Sequence, residues 1–373
     1  MGGDVKAGYA DENPYYWEDY SPFQRAKHDL IQNYLGGWFP KLGTWASRVI
    51  YVDTHAGKGR YASGATGSPI VALETLLKHR YREQLLRKSE FVFWFIERDE
   101  QNLASLRNRI SALGPLPQRI TVHSRAANSF KLLEQVVAEL RKQASRMAPA
   151  FIFVDPYGFK IPGRLLRDLM NAGRVELLLT FMWRWVDMAI AQTRNNSRAT
   201  SQLAVTLDGL FDTPEWRSRI TSDSSIERAK QASELLRQQI GAKWFTDIKM
   251  LGENNAIHYL ILHLTNHDDG RDLMKDCIWK ICPDGGLHVR MGDNPDQEFL
   301  IKPTPDLRPL RSWVSGLLAQ QPRKWNELSE RLRAEIWRET HLRNVLKQLV
   351  AKKQIQCHGK FSRTANPTFS IAP

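Results

Sequence analysis

Arg48-Val-Ile-Tyr-Val-Asp-Thr-His-Ala-Gly-Lys-Gly-Arg60 is the stretch that decides the fold. The apolar run Val49–Val52 reads as a buried strand closed by an acid, Asp53. A glycine turn, Ala56-Gly57-Lys58-Gly59, follows at once. In α/β proteins a strand, an acid and a glycine turn mark the end of the first strand of a nucleotide-cofactor domain. Glycine lets the backbone turn tightly and lie against a ligand where a Cβ would collide.

Working outward, more strands end in the same way. Phe91–Ile96 is apolar on both faces, as a central parallel strand is, and runs into Glu97. Arg119–His123 runs into Ser124-Arg125-Ala126-Ala127-Asn128, and Ala150–Val154 into Asp155-Pro156-Tyr157-Gly158. Val175–Phe181 is a fifth strand. Helical periodicity fills the intervals, and strict alternation predicts a doubly wound parallel sheet. Ser21-Pro22 opens a helix that Gly36-Gly37 is expected to stop. Ser68-Pro69 opens another, read as Ile70 to about Lys88. Residues 182–244 are polar, helical and carry Trp183, Trp185 and Trp216, which reads as a helical insertion. Trp244–Met250 and His258–Thr265 return to strand and predict an antiparallel edge. Leu300–Pro309, with three prolines, reads as a linker. Beyond it come three helices and a hairpin, the pattern of a winged helix-turn-helix. The expected domains are a Rossmann-like one over 1–300 and a winged-helix one over 310–373.

Composition narrows the partners. The chain has 373 residues and a formal net charge of +13, which points to a polyanion such as nucleic acid. From Lys302 to Pro373 there are 14 Lys and Arg against 5 Asp and Glu, so much of the excess sits in the last fifth. No apolar run approaches the roughly 18 residues of a membrane helix. The N-terminus shows no signal-peptide pattern, and the three cysteines, Cys277, Cys282 and Cys357, form neither a disulfide framework nor a zinc pattern. A cytoplasmic location with no metal site is the expectation.

The glycine loop formally matches the dinucleotide fingerprint, but two details count against NAD. The fingerprint wants a carboxylate about 20 residues on, and Glu97 lies nearly twice as far. Asp53, just before the loop, would repel a pyrophosphate. A P-loop is excluded because Lys58 is followed by Gly59. A cofactor with a cationic amine suits Asp53, and S-adenosylmethionine has one, together with a ribose diol for Glu97 and a body that would lie on Gly57 and Gly59. His55 could touch ligand or brace the loop. At Asp155-Pro156-Tyr157, the Asp155 carboxylate and Pro156 carbonyl could accept the two N–H bonds of a planar amine while Tyr157 stacks on its ring. The amine would then attack the methyl in line, by positioning and electrostatics.

At these residues the chain resembles two related groups of S-adenosylmethionine-dependent methyltransferases. Its order is similar to the three-Cys-motif partner (TcmP) family: Asp53-x-x-Ala56-Gly57-x-Gly59, Gly67-Ser68-Pro69, Glu97, Asp155-Pro156-Tyr157-Gly158 and Thr265-Asn266-His267. The run Asp53–Tyr61 resembles the loop of bacterial 23S rRNA adenine-N6 methyltransferases, whose Asp-Pro-Pro-Tyr motif Asp155-Pro156-Tyr157 shortens by one proline. The resemblance implies a Rossmann-like methyltransferase fold, S-adenosylmethionine as cofactor and a nucleic-acid amine as substrate, with a three-Cys-motif protein as a possible partner. Relatives often carry an acid after the third strand that contacts the cofactor adenine. Asn128 stands in this region and could substitute.

The reading is therefore a methyltransferase acting on RNA or DNA at an exocyclic base amine. Asp155, Pro156 and Tyr157 would be catalytic, and Asp53, His55, Gly57, Gly59, Glu97 and Asn128 would line the cofactor cleft. The competing readings are a non-catalytic nucleic-acid-binding partner that keeps the fold, and a small-molecule methyltransferase.

Overall fold

A computed structural model describes residues 17–18, 20–194, 198–283, 285, 288–292 and 304–372. Residues 1–16 and the linker residues 300–303 lie outside them.

Helix α1 runs Pro22–Gly43, opened by Ser21, whose hydroxyl accepts from the Gln24 amide at 3.3 Å. It does not stop at Gly36-Gly37. Two glycines cost about 1 kcal/mol each against alanine in a helix. Carrying the helix on buries Trp38, Phe39 and Leu42, at about 1.5–3 kcal/mol for each large side chain. Pro40 sits inside and cannot donate to the Gly36 carbonyl. His79 Nε2 donates to that carbonyl instead, at 3.1 Å.

Strand β1 spans Arg48–Asp53. The single helix expected from Ile70 to Lys88 is two, α2 Ser68–Leu77 and α3 Arg82–Lys88. The break frees His79 to reach Gly36, and Arg82 donates to the Leu77 carbonyl at 2.9 Å. Then follow β2 Glu90–Glu97, α4 Glu100–Ser111, β3 Ile120–Ala126, α5 Ser129–Lys142, β4 Met147–Val154, α6 Gly163–Asn171 and β5 Gly173–Phe181. The expected helical segment is α7 Trp183–Thr193, α8 Arg198–Phe211, α9 Trp216–Arg219 and α10 Ser225–Ile240. It leads to β6 Trp244–Leu251, β7 Ile257–Thr265, α11 Asp268–Ile281 and β8 His288–Arg290.

The large sheet has the order β3-β2-β1-β4-β5-β7-β6-β8. Strands β1 to β5 are mutually parallel, and β7 is antiparallel to both β5 and β6. This is the α/β, Rossmann-like sheet with an antiparallel edge that the alternation predicts. Phe151, Ile152, Phe153 and Val154 of β4 are fully buried, which explains a strand apolar on both faces.

One acid lies inside this layer. Glu176 of β5 accepts from Tyr34 and from Trp38 Nε1 (3.0 Å) on α1, and bonds His263 of β7 at 2.9 Å. Burial would raise its carboxyl, but the His263 and Tyr34 bonds hold it below the usual range.

The described residues divide into two compact units. One holds everything up to Gly270 together with His288–Gly292. The other holds α11 from Arg271, then α12 Arg308–Gln320, β9 Arg323–Lys324, α13 Trp325–Leu332, α14 Glu339–Ala351, β10 Ile355–His358 and β11 Thr368–Ile371. Its sheet is antiparallel in the order β10-β11-β9. Its core is Leu310, Val314, Leu328, Leu342, Leu346 and Phe369. No described helix is long and apolar enough to cross a membrane.

Candidate active site

In the order β3-β2-β1-β4-β5 the chain reverses direction across the sheet between β1 and β4. Ligands of doubly wound sheets bind outside the carboxyl ends at this switch point. Asp53 ends β1, Glu97 ends β2 and Asp155 follows β4, so the topology brings these acids to one edge. The loop after β1 is strapped to both neighbours: the Thr54 amide donates to Phe153 O and the Ala56 amide to Ile96 O, each at 3.0 Å. Gly57 and Gly59 have φ of 60° and 77°. A Cβ on Gly59 would lie 2.6 Å from Leu106 Cδ1, and one on Gly57 would lie 2.0 Å from Trp17 Cζ2. The Trp17 indole thus covers Gly57, packed on Tyr61 with ring centroids 4.9 Å apart.

The acids differ in environment. Asp53 is fully buried, and its oxygens accept from Ser68 Oγ at 2.6 Å and the His55 amide at 3.2 Å. Burial raises its carboxyl to about 7, helped by the Asp155 charge and opposed by the Ser68 bond. Asp155 instead meets Lys27 of α1, whose Nζ donates to Oδ2 at 2.5 Å. Burial would raise Asp155, but the Lys27 ammonium holds it below its ordinary value. Lys27 is buried too, which disfavours its charge, yet Asp155 holds its pKa above the usual lysine value. Among the described residues, Asp53 is therefore a buried acid with no cationic side chain bonded to it. A ligand ammonium would complete it, so this donor set fits a cofactor with a cationic amine.

The imidazoles here are neutral. Burial lowers His55 to about 4, and Arg98 adds to that while Asp155 opposes it. Burial and Lys27 lower His28 to about 3. Thr54 Oγ1 donates to Phe153 O at 3.1 Å, so at its 2.8 Å contact with His55 Nδ1 it accepts. That assigns the proton to Nδ1 and leaves Nε2 as an acceptor. The His55 ring meets Phe130 edge-on.

Glu97 accepts from the Gly57 amide of the loop at 2.8 Å and from the Asp99 amide beyond its own strand at 2.9 Å. Asn128 is the N-cap of α5, its side-chain oxygen taking the Lys131 amide at 3.1 Å. Pro156 is buried, whereas Tyr157 is 52% exposed and meets Trp185 edge-on with centroids 5.1 Å apart. Of the three tryptophans in the helical segment, Trp183 and Trp216 are core. Their indoles donate to Ser225 at 3.1 Å and Asp208 at 2.8 Å. Only Trp185 stands beside the site.

Lys27, Ser68 and Trp17 were not anticipated here. Lys27 lies on the apolar face of α1, between Phe23 and Ile31 at i±4. A lysine on a buried face requires a carboxylate, and that was the available signal. Trp17 offered none.

No protein-family model matches the chain, and no curated protein matches it. Among solved structures, an S-adenosylmethionine-dependent methyltransferase from Agrobacterium tumefaciens is 10% identical at a TM-score of 0.32, covering 62% of this chain and 61% of that one. An rRNA methylase from Streptococcus thermophilus is 11% identical at a TM-score of 0.30, covering 66% of this chain and 98% of that one. A Legionella pneumophila protein is 13% identical at a TM-score of 0.36, covering 64% of this chain and 85% of that one.

Proposed function

We propose that the chain is an S-adenosylmethionine-dependent methyltransferase that acts on an exocyclic base amine of a nucleic acid. The observation that carries this reading is Asp155, held ionised by Lys27 beside an exposed Tyr157, on the same sheet edge as the cation-seeking Asp53. When bound, the cofactor supplies an electrophilic methyl group. Asp53 and the loop from Thr54 to Gly59 would hold it, with Glu97 fixing the loop's shape.

With Oδ2 committed to Lys27, Oδ1 of Asp155 accepts one N–H of the amine, and the Pro156 carbonyl accepts the other. Both bonds localise the nitrogen lone pair for attack. Because Lys27 keeps Asp155 anionic and paired, Asp155 works as an acceptor that orients, and the proton shed by the methylated nitrogen would pass to solvent. Tyr157, with Trp185 at its edge, is the platform for the base, which in a duplex must first be flipped out. The basic C-terminal unit, read as a winged helix, supplies salt-dependent affinity. The likeness to the three-Cys-motif partner family and to adenine-N6 rRNA methyltransferases supports this reading.

The test is transfer of labelled methyl to RNA and DNA fractions, followed by nucleoside mass spectrometry. Asp155→Ala, compared with the charge-balanced Lys27→Met/Asp155→Asn, is expected to bind cofactor and lose transfer, and undiminished transfer in either would remove Asp155 from its role. One observation favours a second reading: Trp17 lies on Gly57, where the cofactor's body would rest. A non-catalytic nucleic-acid-binding protein with the same fold would show no heat with millimolar S-adenosylmethionine.

A further inference from the structure

The opposite edge of the same sheet has a character of its own. Because β1 to β5 are parallel, their amino ends share one edge. Each strand is entered from a cation: Arg48 begins β1, Lys88 precedes β2, Arg119 precedes β3, Arg146 precedes β4 and Arg174 stands second in β5. All five are exposed.

Contacts run through them. The Arg174 guanidinium lies 4.9 Å from the ring centroid of Trp45, which is 57% exposed. Lys88 Nζ donates to Thr44 O at 3.4 Å, next to Trp45. Arg119 donates to the carbonyl of Arg87 at 2.9 Å. At the turn between α2 and α3, a concavity of about 330 Å³ is lined by Lys78, His79, Arg80 and Arg82, with Glu83 the acid among them. Arg80 lies 4.5 Å over Tyr81, itself 39% exposed.

Described acids here have basic partners: Glu90 pairs with Arg48, Glu74 with Lys78, Asp269 with Lys41, and the exposed Glu83 lies 3.9 Å from Arg82. Among the described residues no carboxylate pairs with Arg87, Lys88, Arg119, Arg146 or Arg174. Helix dipoles account for basic residues in closing turns, such as Lys41, Arg87, Lys88 and Arg109. They do not account for arginines at strand starts. Unpaired guanidinium groups interleaved with exposed aromatic rings are the chemistry of single-stranded nucleic-acid binding. An anionic headgroup layer could use the same cations and rings, so anionic vesicles are a parallel arm of the test.

We infer that this amino-terminal edge is a second contact surface for nucleic acid, on the edge of the sheet opposite the Asp155 site. It rests on the nucleic-acid reading above but not on methyl transfer. A long strand engaged at both edges would be held while one base is presented to Tyr157.

The test titrates the full-length protein with a fluorescent 20-nucleotide single-stranded RNA, with DNA of the same sequence and, in parallel, with anionic vesicles, across a salt series. Arg119→Gln/Arg146→Gln/Arg174→Gln removes three exposed strand-start charges without touching the core. At about 0.1 M salt it is expected to lose at least roughly tenfold in affinity, and its log–log salt slope should flatten by about 2. Trp45→Ser should weaken binding with little change in slope. Arg194→Gln/Arg219→Gln/Lys230→Gln, with equal charge removed from the helical segment, should bind like the parent. Equal loss in the two triple variants, or none in the first, overturns the inference. So does a loss seen only on anionic vesicles. If the parent transfers no methyl group yet shows this patch-dependent binding, the enzymatic reading falls and the surface stands.

Discussion

At the scale of single residues, the site is governed by how three buried charges are compensated. Asp155 and Lys27 compensate each other, and each would be costly alone. Lys27→Met is therefore expected to destabilise the fold by about 3–5 kcal/mol, since it strands a buried carboxylate. The double variant Lys27→Met/Asp155→Asn should recover most of that loss, because no charge is left unpaired. Urea melts of the two variants measure the difference, and equal losses would show that the pair is not coupled. Asp53 behaves in the opposite way. Burial lifts it from 3.8 to about 7, so the folded chain keeps a proton that the unfolded chain releases. Its stabilising contribution is complete below the unfolded value and disappears as pH rises through the folded one. Asp53→Asn should remove that part of the pH dependence of the melting temperature. A cationic ligand reverses the preference, because it wants the carboxylate. S-adenosylmethionine should bind more tightly at about pH 8 than at about pH 6, and near neutrality its binding should release a proton. Calorimetry in two buffers of different ionisation heat detects that proton, and identical heats would remove Asp53 from the amine site.

At the scale of elements, much of the architecture was legible because burial on both faces leaves an unmistakable apolar run. Phe91–Ile96 and Ala150–Val154 could only be central strands, and the acids at their ends follow from topology. What was not legible depended on partners distant in sequence. Gly36-Gly37 reads as a stop, yet α1 passes through it because His79 supplies the donor that Pro40 lacks. Lys27 finds its acid 128 positions away. Asn128 shows the same limit from the other side. Its place after β3 suggested a cofactor contact, while its side-chain oxygen holds the first turn of α5. If capping is its main task, Asn128→Ala should cost about 1 kcal/mol and Asn128→Asp very little. Thermal melts separate these, and cofactor titration of Asn128→Asp shows whether the amide nitrogen matters as well. Unchanged stability of Asn128→Ala would leave the cap without energetic weight.

At the scale of the molecule, the compact units do not divide at the proline-rich stretch. Helix α11 from Arg271 onward belongs with the C-terminal residues, and its side chains show why. Arg271 Nε donates to Arg333 O at 3.0 Å, Lys275 Nζ to Trp337 O at 2.8 Å and Leu332 O at 3.1 Å, and Trp279 Nε1 to Ile336 O at 2.8 Å. These carbonyls belong to the last residue of α13 and the turn before α14, groups that a helix end and a turn cannot satisfy internally. Lys275 and Arg271 are almost wholly buried, so the carbonyls compensate their charge as much as the cations satisfy the carbonyls. Lys275→Met keeps the stem and removes the donors, leaving several acceptors unpaired at about 1–3 kcal/mol. Calorimetry of the full chain should then show the C-terminal unit melting earlier, with the transition of the sheet unit unmoved. A chain cut at residue 309 should leave Trp279 without the Ile336 carbonyl and Lys275 without its acceptors, and so bind an apolar dye more strongly than the full chain. If Lys275→Met melts like the parent and the cut chain binds no more dye, α11 does not depend on the C-terminal turn for its stability.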